Sequence, residues 1–192
     1  MRRAVIHAIF ILCASVVAHG QDLQQFQIAR AAQPPKIDGD LRDEVWSGAP
    51  LDIGDWLSYN PLYGEKAQQR TEVRIAYDDR NIYFGFHCFD SEPDKIRTTI
   101  SRRDNVFNDD WIALSLDSAG TGQTAYHLFV NPSGIQMDAL NTSASGEQFE
   151  ADVVWDSAGK ITNDGYIVEI RLPLQSIRFS GGAMHSGDAP LS

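Results

Sequence analysis

The chain has 192 residues, 43% hydrophobic and 22% charged, with 16 Lys plus Arg against 26 Asp plus Glu and a formal net charge of −10. That composition excludes a disordered protein, and the size fits one domain with a real core. An acidic chain without a basic stripe also argues against nucleic acid and anionic membrane as main partners.

Residues 1–20 predict a signal peptide. Arg2 and Arg3 form a positive start, and Ala4 to Val17 is apolar apart from His7 and Ser15. Ala18-His19-Gly20 places small residues where a signal peptidase reads, so cleavage is expected between Gly20 and Gln21. The apolar run is too short to span a bilayer and is followed at once by polar residues. Export is therefore the expectation: periplasmic, outer-membrane-associated or secreted. Without residues 1–20 the net charge becomes −12. Cys13 leaves with the signal, and Cys88 alone cannot form an internal disulfide. Its neighbours Phe84, Phe86 and Phe89 predict a buried, inert thiol.

Gly39-Asp40-Leu41-Arg42-Asp43-Glu44-Val45-Trp46 reads as one or two helical turns, capped by Asp40, that plug one end of the core. Thr71 to Tyr77 alternates as a half-buried strand. Ile82 to Phe89 is apolar on both faces, so it belongs in the middle of a sheet. Trp111 to Leu116 places Ile112, Leu114 and Leu116 on one side. Ala125 to Val130 and Ile135 to Leu140 flank Asn131-Pro132-Ser133-Gly134, which suits a type I turn, and predict a hairpin. Val153 to Asp156 leads through Gly159-Lys160 into a further strand. Asn163-Asp164-Gly165 is a turn, and Tyr166 to Leu172 alternates until Pro173. Many short strands with one short N-terminal helix predict an all-β fold, an antiparallel β-sandwich. Its domain spans residues 21–179, and the small, polar tail 180–192 is expected to fray.

The chain carries no enzyme signature. Asp109 and Asp110 are neighbours near a strand and cannot converge like a glycosidase pair, so they read as solvated acids. His87 and His127 lie in strands among aromatics without a motif to recruit them, and are expected to be buried and hydrogen-bonded. Asp38-Gly39-Asp40, Asp78-Asp79, Asp90-Ser91-Glu92 and Asn108-Asp109-Asp110 offer loop oxygens of the kind calcium takes, or simply solvated turns. Trp46 and Trp155 read as core. Trp56, Tyr59 and Tyr63, in a Gly/Pro-broken stretch, and Phe107, in a charged loop, read as exposed rings of the kind that stack on sugars.

Taken in order, these motifs resemble carbohydrate-binding modules of family nine. The resemblance rests on Pro35-Lys36-Ile37-Asp38-Gly39-Asp40 with Glu44-Val45-Trp46; on Thr71 to Tyr77 followed by Asn81-Ile82-Tyr83-Phe84 and Asp90; on Asn108-Asp109-Asp110-Trp111-Ile112 with Leu116-Asp117; and on Asp164-Gly165-Tyr166-Ile167-Val168-Glu169-Ile170 with Leu172-Pro173-Leu174. It covers residues 35 to 179. Arg102-Arg103-Asp104, Phe129 to Gly134 and Ser176-Ile177-Arg178-Phe179 resemble more narrowly the N-terminal domain of large exported bacterial proteins with a C-terminal outer-membrane region. The family's last strands have no counterpart after Phe179, so a truncated chain is expected, with outer-membrane association through the missing part.

The resemblance implies non-catalytic binding of an oligo- or polysaccharide, linked to xylan- or cellulose-like polysaccharide breakdown by glycoside hydrolases. Of the family's two sugar-clasping tryptophans, the first falls on Phe107. Its acid falls on Ala113, its sugar-binding arginine on Phe129, and the nearby asparagine on Asn131. The candidate sugar residues are therefore Phe107, Asn131, Trp56 and Tyr59. The resemblance places possible calcium ligands at Asp90 and Asp110. Two other readings stand beside it: a structural periplasmic domain of a larger outer-membrane protein, and a haem-binding sandwich with Met137 and His127 as ligands.

Overall fold

The computed structural model describes residues 26–57, 64–67, 69–150 and 152–178. The expected signal peptide, Tyr59, Tyr63, Phe179 and the tail lie outside them. The fold is the expected β-sandwich. One sheet has five strands in the order β1 (Ala29–Arg30), β2 (Thr71–Tyr77), β3 (Asn81–Phe89), β9 (Gly165–Pro173) and β8 (Asp156–Thr162). The other has four, β4 (Ile112–Leu116), β5 (Thr124–Val130), β6 (Gln136–Thr142) and β7 (Gly146–Gln148), in chain order. All pairs are antiparallel except β1 with β2, where the N-terminal segment runs alongside an edge. Among the described residues no helix is long and apolar enough to cross a membrane.

The alternation of apolar residues decides what fills the space between the sheets. Val73 from β2, Phe84, Phe86 and Cys88 from β3, and Val168, Ile170 and Leu172 from β9 face Leu128 and Val130 of β5. Trp155, Val153 and Ile177 close the margins. Burying each of these large side chains contributes about 1.5–3 kcal/mol. Burial pushes the Cys88 thiol up to about 11, so it is the inert group its aromatic surroundings suggest.

β3 is central, as its two-sided hydrophobicity requires. Its second face is covered by the N-terminal segment, which corrects two expectations. First, residues 40–46 form no α-helix: only Glu44–Trp46 makes a single 3-10 turn, with Asp43 rather than Asp40 at the capping position. The Asp40 carboxylate instead holds Arg42. Second, this segment does not plug an end of the core. Trp46, with Ile37, Leu41 and Val45, packs on Ala76 and Tyr83, whose side chains point away from the main core. β2 is half-buried as expected, with only Ala76 on its outer face under this roof while Glu72 and Arg74 stay partly exposed. Gly85 makes room for this roof, because a Cβ there would meet Leu41 Cδ2 at 2.7 Å.

Under the roof lies Glu169, fully buried on the outer side of β9. Its Oε2 accepts the N–H groups of Asp38 (2.9 Å), Gly39 (2.8 Å) and Asp40 (3.1 Å), and its Oε1 accepts Trp46 Nε1–H at 2.9 Å. Burial pushes this carboxyl up, against the pull of the four donors. The Asp38-Gly39-Asp40 loop thus wraps its backbone N–H groups around an anion, the opposite of a cation loop.

The predicted hairpin is present. Val130 pairs with Gln136, and Gly134 N–H donates to Asn131 O at 2.9 Å. β8 starts only at Asp156, because Val153 and Trp155 turn into the core margin, and it runs straight through Gly159-Lys160. At Gly159 the hairpin turn lies directly on β8: a Cβ there would stand 2.6 Å from Gly134 N and Pro132 O. Ser157 Oγ–H donates to Gly134 O at 2.8 Å across the same join.

Candidate sugar-binding face

The four-stranded sheet has one face on the core and one outward. Register fixes the outward rows: Ala113, Phe129 and Met137 lie side by side, then Ser115, His127 and Ala139, then Ala125, Asn141 and Glu147. Ala113 and Ser115 are exposed, whereas Phe129 and Met137 are buried beneath the loop that carries Val106 and Phe107. Phe107 is 54% exposed and lies against three rings at steep angles. Its centroid is 5.5 Å from Phe129, 5.9 Å from Trp111 and 5.9 Å from Phe149, with interplanar angles of 82°, 68° and 89°. Trp111 also meets Phe129 at 5.4 Å and 72°. Trp111 and Phe149 are 41% and 40% exposed. Edge-to-face pairs of this kind stabilise one another by about 0.5–1.5 kcal/mol each and fix the rings in place. The result is an exposed aromatic cluster with a buried ring, Phe129, at its base.

The loop that carries Phe107 is pinned at several points. Val106, fully buried, packs with Phe129 and Met137. Arg103 reaches the buried Asp138 carboxylate, Gln136 Oε1 (3.0 Å) and Val153 O (2.8 Å). Asp104 N–H donates to Gln136 O at 2.9 Å. Asp109 is buried, not solvated: its carboxylate accepts Thr99 N–H (2.9 Å), the Thr99 hydroxyl (2.9 Å) and Asn131 Nδ2 (2.8 Å). Burial pushes this carboxyl up, but the Asn131 amide and both Thr99 donors outweigh it and hold it below the usual carboxylate range.

The predicted sugar residues separate. Phe107 is on the exposed face. Asn131 is fully buried, and its amide is engaged throughout. Nδ2 donates to Thr99 O (3.0 Å) and Asp109, while Oδ1 accepts the N–H groups of Ser133 (3.0 Å) and Ile135 (2.8 Å). It shapes the hairpin and anchors the Phe107 loop. Trp56 is 40% exposed, but its Nε1–H donates to Thr71 O (2.8 Å) beside β2, on the other sheet. Tyr59 lies outside the described residues. Trp111 and Phe149 complete the cluster and were missed. Trp111 read as the first residue of a strand, and Phe149 lies past a three-residue strand that no periodicity announces.

His87 and His127 are hydrogen-bonded, as expected, but half-buried rather than buried. His87 Nε2 lies 3.3 Å from Asp164 Oδ1, and His127 Nδ1 lies 2.8 Å from Glu147 Oε1. Met137 is buried with Phe129 and Val106, so it and His127 do not share an open space for haem. Asp90 and Asp110 both lie near enough to Tyr166 to help hold its phenol un-ionised, after burial as the main cause. Asp90 caps a local turn by accepting Glu92 N–H, whereas Asp110 accepts the N–H of Arg97, 13 residues away, both at 2.7 Å. Calcium takes six to eight oxygens. Among the described residues no three His, Cys, Asp or Glu side chains converge to hold a metal.

A two-sheet sandwich with an aromatic cluster on one outer face is the architecture of a ligand-binding module. The chain belongs to the carbohydrate family 9 binding domain-like family, which it matches over residues 37–187. No curated protein matches it. Among solved structures it is similar to a family 9 carbohydrate-binding module of Caldicellulosiruptor kristjanssonii in complex with cellotriose, with a TM-score of 0.52, 17% identity, and 77% of this chain and 66% of that one covered. A module from the same organism in complex with glucose gives 0.52, 18%, 81% and 71%. A Bacteroides uniformis structure gives 0.54, 16%, 78% and 72%. At these identities the likeness establishes the fold.

Proposed function

We infer that the protein is a non-catalytic carbohydrate-binding module and that its site is the outer face of the four-stranded sheet. The observation that carries this reading is the group of three exposed rings in which Phe107 meets Trp111 and Phe149, seated on the buried Phe129 of the outward face. Aromatic faces and edges cover the C–H surface of a pyranose, and polar neighbours meet its hydroxyls. Rings set at steep angles make a corner rather than a flat track, which suits one or two sugar units. Family membership, and the cellotriose and glucose bound by similar structures, support glucose-type saccharides as ligands. The setting we favour is an exported protein acting with glycoside hydrolases on xylan- or cellulose-like material.

A glycan array followed by calorimetry tests this reading. Phe107→Ala and Trp111→Ala should each weaken saccharide binding about tenfold, equivalent to about 1.4 kcal/mol, and leave the melting temperature within a few degrees. Binding that survives both substitutions would move the site elsewhere, with Trp56 the next candidate. Mass spectrometry of the exported protein should find Gln21 first; an intact Met1 would overturn export through a cleaved signal.

A further inference from the structure

We propose that His127 and Glu147 form the polar side of this site and select neutral pyranoses over uronic acids. The inference deepens the carbohydrate-binding reading and rests on it.

The row Ala113, Phe129, Met137 offers a sugar no hydrogen-bonding side chain. On the same face, two residues along β5 from Phe129, stands His127, with ring centroids 6.2 Å apart at 71°. Its Nδ1 is tied to Glu147 Oε1 at 2.8 Å, and Glu147 projects from β7 onto the same face, opposite Asn141. The flanking positions on either side of His127 are Ser115 and Ala139, too short to screen it. Glu147 keeps 42% of its side chain exposed and His127 keeps 17%, so both reach the surface.

The chemistry of this pair is directional. In a neutral imidazole, the nitrogen that faces a carboxylate carries the hydrogen. Glu147 therefore fixes the Nδ1–H form and leaves Nε2 as an acceptor. The remaining carboxylate lone pairs of Glu147 are also acceptors. The pair itself only accepts, so the sugar group that meets it must donate. Sugar hydroxyls donate, whereas a uronate carboxylate cannot, and it also meets the Glu147 charge at short range. A sugar stacked on the exposed Phe107–Trp111 corner would place its hydroxyl rim toward this pair.

Calorimetry and NMR titration at pH 8 with cellotriose, glucose and glucuronic acid test the proposal. Wild type should bind glucose at least tenfold more tightly than glucuronic acid. His127→Ala should weaken cellotriose binding tenfold or more, and Glu147→Gln should narrow the glucose-to-glucuronic acid ratio. In the unaltered protein the His127 Nε2 nitrogen shift should move on adding cellotriose, a readout that needs no variant to fold. Loss of binding in Phe107→Ala and Trp111→Ala, with His127→Ala and Glu147→Gln unchanged and a static Nε2 shift, would overturn this proposal and leave the carbohydrate-binding reading standing. Failure of the wild type to bind any neutral saccharide would overturn both.

Discussion

Replacing Glu169 tests how the N-terminal segment is held. Four N–H groups converge on its carboxylate, and two of them, Gly39 N–H and Trp46 Nε1–H, bond to it in buried surroundings. The N–H groups of Asp38 and Asp40 are half-exposed and can turn to water. Glu169→Ala leaves the two buried donors without a partner, at about 1–3 kcal/mol each, so the loss should be about 2–6 kcal/mol. Against a domain stability of about 5–15 kcal/mol, that is a large part of the whole. Glu169→Gln keeps the shape but turns one acceptor into a donor, so either Trp46 or the three-residue loop faces an N–H; about 1–3 kcal/mol is expected. Trp46→Phe removes one of the competing donors, and in that background Glu169→Gln should cost less. Urea unfolding followed by circular dichroism gives all four corners of the cycle, with a coupling of about 1 kcal/mol or more. A loss under about 1 kcal/mol for Glu169→Ala, or the same cost of Glu169→Gln in both backgrounds, would refute the claim that these bonds hold the roof.

Asp109 has its folded-state pKa below its unfolded value of about 3.9. Its ionised form therefore stabilises the fold above that pH, and the contribution is lost as pH falls through the folded value. Urea midpoints measured from pH 7 down to pH 2.5 should fall more steeply for wild type than for Asp109→Asn, and parallel profiles would contradict this. Gly159→Ala drives a methyl into Gly134 N and Pro132 O, backbone atoms that cannot swing aside. It should cost about 1–3 kcal/mol in the same assay, and a neutral substitution would show that the hairpin does not bear on β8 as described.

Pattern along the chain revealed the strands that carry one clear periodicity. Ile82 to Phe89 announced the middle of a sheet because apolar side chains fall on both of its faces, and the turns at Asn131–Gly134 and Asn163–Gly165 carried their own chemistry. What stayed hidden depends on partners far away in sequence. Trp46 looks the same whether it plugs an end or roofs a sheet; Ala76, Tyr83 and Glu169, over 100 residues away in the last case, decide it. Asp109 read as solvated because its burial depends on Asn131 and Thr99 arriving beside it. The site was half legible. Phe107 stood out as an aromatic ring in a charged loop, while Trp111 and Phe149 became visible only once the fold brought them and Phe129 against Phe107.

The two sheets divide their duties unequally. The five-stranded sheet carries the N-terminal roof over Ala76, Tyr83 and Glu169 on its outer face, so changes there disturb packing as changes on the core face do. The four-stranded sheet spends one face on the main core and, on the other, buries only the patch around Phe129, Met137 and Ala139. Ala113, Ser115 and Ala125 on its free face have no structural task beyond β pairing. Substitutions there can reshape recognition while leaving the stability of the fold almost untouched. A lineage carrying this sandwich can therefore drift from one ligand to another through surface changes alone, without first acquiring a stabilising background.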